Sequence, residues 1–217
     1  MSTPTSSPAQ NQSPPPASAF ARWSEAQRRA SLAATLAQAP RHEEQDLWIF
    51  AYGSLIWRPE FDFSERRLAR LHDHHRSLCL WSRVNRGTPE VPGLVFGLDH
   101  GGSCSGVVFR VPGQAVPQTF DALWAREMGT GAYLPRWLPC DTEGGTVSAL
   151  AFVIDQTGVG YVPQLPEDDV VRIILRASGT YGPCIDYVLQ TAEALKASGI
   201  CDDHLDDLAR RLLSEHR

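Results

Sequence analysis

The apolar positions divide the chain into a helical start, a strand-rich middle and a helical end. From residue 20 to about 38, FARWSEAQRRASLAATLAQ is rich in helix formers, and Pro40 ends the pattern. That predicts a peripheral helix. From about 46 to 154 the apolar residues fall in short runs instead: 47–52, 75–81 (with LCLW), 94–98, 107–111 and 147–154 (VSALAFVI). The segment DHGGSCSG between the third and fourth of these predicts a hairpin turn. Many short strands with frequent Gly and Pro point to a largely antiparallel sheet or barrel. A doubly wound parallel sheet would need a regular strand and helix alternation that the pattern lacks.

One helix interrupts the strands, PQTFDALWAREMG, with Thr119 as the expected N-cap. At 100° per residue Phe120, Leu123, Trp124 and Met128 share one face, and Glu127 falls in the middle of that stripe. Two further stripes close the chain: Ile185, Val188, Leu189, Ala192 and Leu195 before Gly199, then Leu205, Leu208, Ala209 and Leu212.

Composition narrows the picture. At 217 residues, 42% hydrophobic and 21% charged, the chain can bury one sizeable core. Residues 1–19 hold five Pro and five Ser and no charge, which predicts a disordered tail; a peripheral helix and linker over 20–45 and one main domain over 46–217 complete the expected division. A net charge of -5 leaves no basic stripe for nucleic acid. No apolar run reaches the roughly 18–20 residues of a membrane span, and no secretory signal is legible. Five widely spaced cysteines without a C-x-x-C pair predict small buried hydrophobes in a reducing, cytoplasmic setting.

Two places could carry chemistry. Burial of Glu127 on an apolar stripe costs several kcal/mol unless the group is paired, and desolvation raises a carboxyl pKa. It is either paired with a cation from another element or poised to exchange protons. Arg126 is set aside as that cation, since sequence neighbours on a helix do not face each other. In IFAYGSLIW, Gly53 and Ser54 interrupt an apolar run. They form either a rim turn or a small concavity of backbone N–H groups, glycine allowing positive φ or close approach. Tyr181 either packs or presents its hydroxyl to a site. His72, His74 and His75 suggest zinc, but no companion ligand pair accompanies them. Dinucleotide, P-loop and nucleophile-elbow motifs are missing.

Taken together, AYGSLIWRPEFDF, WSRVNRGTPEVPGLVFGLDHGGSCSGVVFRV, LWAREMGTGAYLPRWLP and ASGTYGP-x-x-DY resemble the ChaC-type, glutathione-specific γ-glutamylcyclotransferases over about residues 47–213. The resemblance implies an α+β fold: a small mixed or antiparallel γ-glutamylcyclotransferase-like β-barrel flanked by α-helices. It implies cleavage of the γ-glutamyl amide of glutathione to 5-oxoproline and Cys-Gly, without cofactor or metal. By position Glu127 would be the acid/base, and Tyr52, Gly53, Ser54 and Leu55 would hold the γ-glutamyl group through backbone amides. Tyr181 would line the site. The partner is then a small molecule, glutathione, with no nucleic acid, membrane or obligate protein partner. Where family members often read Asn-Arg, this chain has Cys184-Ile185. That departure keeps a cyclotransferase for other γ-glutamyl amines open, and a non-catalytic γ-glutamyl binder is the third reading.

Overall fold

The first strand, β1 (Leu47–Ala51, LWIFA), is buried at every position. It is paired on both sides, antiparallel to β3 (Gly93–Val111) and parallel to β5 (Gly145–Ile154). A strand so enclosed reads as a continuous apolar run, because neither face meets water. In this computed structural model, which describes residues 14–16, 21–40 and 45–216, β2 (Glu65–Ser82) and β4 (Tyr133–Thr142) complete a closed barrel in the order β1-β3-β2-β4-β5. The expected tail, 1–19, lies outside the described residues apart from 14–16. Among the described residues five α-helices flank the barrel: α1 (Glu25–Leu36), α2 (Val116–Glu127), α3 (Glu167–Arg176), α4 (Cys184–Ala197) and α5 (Asp203–Glu215).

The hairpin expected at DHGGSCSG is not there. That segment lies inside the single long strand β3, which stays paired with β2 from Glu65↔Arg110 to Ser82↔Gly93. Gly101 and Gly102 have φ of +93° and +70°, and Asp73 opposite them has φ of +59°. The register shifts there, between His72 and His74. The positive-φ residues therefore absorb extra chain as a bulge that bends two strands together. The actual connection between β2 and β3 is the loop 83–92.

Strand β4 was not legible because Pro135 and Pro139 interrupt it. It pairs with β5 along its whole length but with β2 only at Cys140–Thr142, so much of its other edge is open. Proline, lacking an N–H, is confined to such edges. Thr119 is not the cap of α2. The helix begins three residues earlier at Val116, with proline in its first turn and Ala115 in the cap position, so Thr119 is an interior, buried residue. Proline is preorganised for a first turn, whereas threonine only competes for the cap. Helix α3 was also unforeseen: only Val171 and Ile174 of EDDVVRIILR are buried, too short a stripe to register.

The closing stripes are used as expected. Ile185, Val188, Ala192 and Leu195 of α4 and Leu205, Leu208, Ala209 and Leu212 of α5 are buried, and Gly199 turns the chain between them at φ +72°. Helix α1 is capped by Ser24 and Gln27 in a reciprocal box. It is tied to α2 and β4 by two indoles: Trp124 donates to Ser31 Oγ (3.2 Å) and Trp137 to the Thr35 carbonyl (2.9 Å).

Phe120 anchors α2. It is fully buried, with ring centroids 6.1 Å from Trp124 and 6.3 Å from Trp137. Phe120→Ala should lower stability by about 3–5 kcal/mol. The check is a fall in the urea midpoint at unchanged slope.

Candidate active site

Strand β1 ends at Ala51, and the chain then turns through Tyr52 and Gly53 into a 3₁₀ turn, Ser54–Ile56. The bend is held from behind. Tyr52 donates its hydroxyl to the Phe152 carbonyl (2.8 Å), and Arg76 Nε donates to the Tyr52 carbonyl (2.6 Å). Gly53 has φ of -139°, so it is not there for the left-handed region. No neighbour forbids a side chain: a Cβ would lie 3.4 Å from Tyr187 Oη and 3.8 Å from Phe96 Cβ, ordinary contacts, but it would stand in the pocket that Gly53 lines with them. The first bond of the turn runs from Ile56 N to the Gly53 carbonyl (3.0 Å). The N–H groups of Gly53, Ser54 and Leu55 precede it and have no acceptor within the turn.

Glu127 is the last residue of α2, and its side chain is 17% exposed. Periodicity placed it on the buried stripe, and the structure agrees. The exclusion of Arg126 does not hold. Arg126 Nε lies 3.1 Å from Glu127 Oε1. The helix stops at Glu127, so no following turn stands between the two side chains. Arg126 is also drawn across by other acceptors: the Arg58 carbonyl (2.7 Å), Glu60 (2.9 Å) and Ser54 Oγ (2.9 Å). Burial pushes the Glu127 carboxyl above the ordinary carboxylate range; Arg126 partly offsets this, and the Glu60 charge adds to it. One arginine thus joins the carboxyl to the Ser54 turn.

Tyr52, Gly53, Ser54 and Glu127 line an open-mouthed pocket together with Leu55, Phe96, Tyr133, Phe152 and Tyr187. Tyr133 donates to the Phe96 carbonyl (3.3 Å), and Tyr187 Oη accepts from Phe96 N (3.1 Å). Since Tyr187 Oη accepts from the backbone, its own proton is available to a ligand. Desolvation raises the pKa of Tyr52, Tyr133 and Tyr187, and the Glu127 charge acts on each in the same direction. All stay neutral donors near pH 7.

Of the residues singled out from sequence, Tyr52, Gly53, Ser54, Leu55 and Glu127 come together. Tyr181 does not join that lining. It is 54% exposed, with the Arg58 guanidinium 5.1 Å above its ring, because its segment (Gly179 to Gly182) packs on the loop at Asn85 and not on the barrel mouth. Sequence reasoning does not single out Tyr133 or Tyr187, although Tyr133 lies within LWAREMGTGAYLPRWLP and Tyr187 ends ASGTYGP-x-x-DY. Their signal is the coincidence of a polar tip with an otherwise buried position. Cys184 and Ile185 are buried in the main core and absent from the pocket wall. Cys201 is exposed, unlike the other four cysteines, since it lies in the loop before α5. His72 faces Asp141 (3.1 Å), and His75 contacts the Gly101 carbonyl (3.1 Å).

A closed five-strand barrel flanked by α-helices is the γ-glutamylcyclotransferase fold class. A solved glutathione-specific cyclotransferase from yeast superposes with a TM-score of 0.73 over 80% of this chain and 97% of its own, at 19% identity, a likeness of fold. The chain belongs to the ChaC-like protein family, whose pattern matches residues 47–215. Similar relatives include the glutathione-specific gamma-glutamylcyclotransferase of Escherichia coli (strain K12), 39% identical over 198 residues, 89% of this chain and 85% of that protein. Glutathione-specific gamma-glutamylcyclotransferase 1 of Homo sapiens is 34% identical over 178 residues, 78% of this chain and 80% of that protein.

Proposed function

We propose that this chain cyclises the γ-glutamyl group of glutathione, releasing 5-oxoproline and Cys-Gly, with Glu127 as acid and base. The observation that carries the reading is the sharing of one pocket by the desolvated Glu127 carboxyl and the turn 53–55. Its family relatives in Escherichia coli and Homo sapiens bear the name of that activity.

The chemistry follows from the residues. The substrate's α-amine is mostly protonated at neutral pH and must lose a proton to attack. The Glu127 carboxylate takes it. The amine then bonds to the γ-carbonyl carbon and closes a five-membered ring, an intramolecular step with an effective molarity of up to about 10⁵–10⁸ M in good geometry. Charge developing on the carbonyl oxygen, or the substrate's α-carboxylate, is met by N–H groups of the turn and by the Tyr187 hydroxyl. As the amide C–N bond breaks, Glu127 returns the proton to the departing cysteinyl nitrogen, and the second proton that the ring nitrogen must shed passes by way of the same carboxylate to that amine, which leaves as an ammonium. Atoms and charge balance with no protein nucleophile.

Because Glu127 must start as the base, activity is lost as pH falls through its raised folded value. The acid limb of kcat/KM should therefore lie above the ordinary carboxylate range, about 4.3. A limb at or below that value would remove Glu127 from the role. The direct test is mass-spectrometric detection of 5-oxoproline and Cys-Gly from glutathione. Product from γ-Glu-Ala at an equal rate would favour the broader γ-glutamyl amine reading. Cys184 and Ile185 are core residues that do not line the pocket, which favours the glutathione reading over the broader one. Five cysteines, all unpaired, support a reducing cytoplasmic setting as part of the same proposal.

A further inference from the structure

A charged group built into the barrel grips the start of the turn. Arg76 of β2 has a side chain only 4% exposed. Its guanidinium donates from Nε to the Tyr52 carbonyl (2.6 Å), from one terminal nitrogen to the Ser105 carbonyl (2.6 Å), and from the other to Asp202. Asp202 is itself fixed, because its other carboxylate oxygen caps α5 by accepting from Leu205 N (3.1 Å). Every contact is charge-assisted on at least one side, and the planar fork leaves little freedom to slide.

The Tyr52 carbonyl and the Gly53 N–H belong to one peptide unit. In a trans peptide, and the described residues contain no cis bond, the two point to opposite sides. A guanidinium gripping the carbonyl therefore directs the N–H the opposite way, and Gly53 is one of the residues that line the pocket. The same contact draws electron density toward the oxygen and makes the N–H a stronger donor, the cooperative strengthening estimated at about 10–30% per bond.

We propose that Arg76, held by Asp202, is a positioning residue for the reaction: it orients and polarises the Tyr52–Gly53 peptide so that the Gly53 N–H serves substrate. This rests on the cyclotransferase reading above. Arg76 touches no reacting atom, and its effect passes through one peptide group. It also couples the site to the start of α5 on the far side of the barrel wall.

The experiment compares Arg76→Gln, Arg76→Lys and Asp202→Asn with the wild-type chain for turnover of glutathione, melting temperature and the ¹⁵N–¹H resonance of Gly53. The Gly53 resonance reports the hydrogen bond to the preceding carbonyl and does not respond to a uniform loss of stability. Arg76→Gln should lower kcat/KM about 10–100-fold, less than the roughly 10²–10³-fold loss of an entire oxyanion donor, and shift the Gly53 resonance. Arg76→Lys, which keeps the charge and one donor, should recover part of both and carries the comparison if the glutamine variant folds poorly. Asp202→Asn, which loosens the hold on Arg76 but leaves the Tyr52 bond in place, should fall between the wild type and Arg76→Gln in both readouts. A loss confined to kcat would assign the N–H to the oxyanion, and a loss confined to KM to the α-carboxylate; both support the proposal. An active wild type with Arg76 variants that melt lower but keep kcat, KM and the Gly53 resonance overturns the proposal alone. A wild-type chain that releases no 5-oxoproline overturns the reading of function on which it rests.

Discussion

Glu127→Gln should purify as a folded barrel and release 5-oxoproline at least about 10³-fold more slowly than the parent, within the 10²–10⁴-fold usually attributed to one general acid or base. Glutamine keeps the size and planar shape of the side chain but can neither accept the amine proton nor return one to the leaving group. Arg126 retains the Arg58 carbonyl, Glu60 and Ser54 after the change, so the turn keeps its support. Near-normal turnover would end the mechanism. Stability should move the opposite way. The folded carboxyl pKa lies above its unfolded value, so Glu127's contribution is fully present below the unfolded pKa, about 4.3, and is lost as pH rises through the folded one. At pH 7 the glutamine variant should therefore melt higher, by about 2–4 °C for each kcal/mol gained. That advantage should vanish near pH 4, which a melting series across pH would reveal.

Gly53→Val should leave the barrel intact and raise KM about 100-fold, equivalent to about 2.7 kcal/mol of binding. A Cβ alone would already stand 3.4 Å from Tyr187 Oη, an ordinary contact, so Gly53→Ala should be milder. The two γ-carbons of valine extend further, between the turn and the tyrosine, where a γ-glutamyl group has to reach the backbone. Unchanged affinity in the valine variant, measured by calorimetry with a non-hydrolysed glutathione analogue, would make the stretch an ordinary bend. The original expectation allowed either positive φ or close approach as the use of this glycine. The observed φ of -139° leaves close approach.

What could be read from sequence followed from periodicity. Glu127 was legible because a carboxylate on an apolar stripe is an anomaly that only burial explains, and the stripes of α4 and α5 were legible for the same geometric reason. Tyr133 and Tyr187 were not, since an aromatic in a buried strand or helix looks like packing until its hydroxyl is placed. Arg126 was misjudged because the neighbour rule describes a helix interior, and the pair sits at a helix end. The long strands β2 and β3 were hidden by their own bulge, where Gly101 and Gly102 imitate a turn. Arg76 gave no signal, being one arginine in a polar run, and only the fold brings it to the Tyr52 carbonyl.

The docking of α1 bears on where the protein begins as an object. The family pattern starts at residue 47, yet Trp23 donates its backbone N–H to the Gly129 carbonyl (2.9 Å), and its indole fills the space beside Gly131. A Cβ there would fall 2.2 Å from the indole nitrogen, and Gly131 itself has φ of +67°. Those contacts steady the segment that follows Glu127. A fragment cut to the family pattern would leave the indoles of Trp124 and Trp137 without their acceptors on α1.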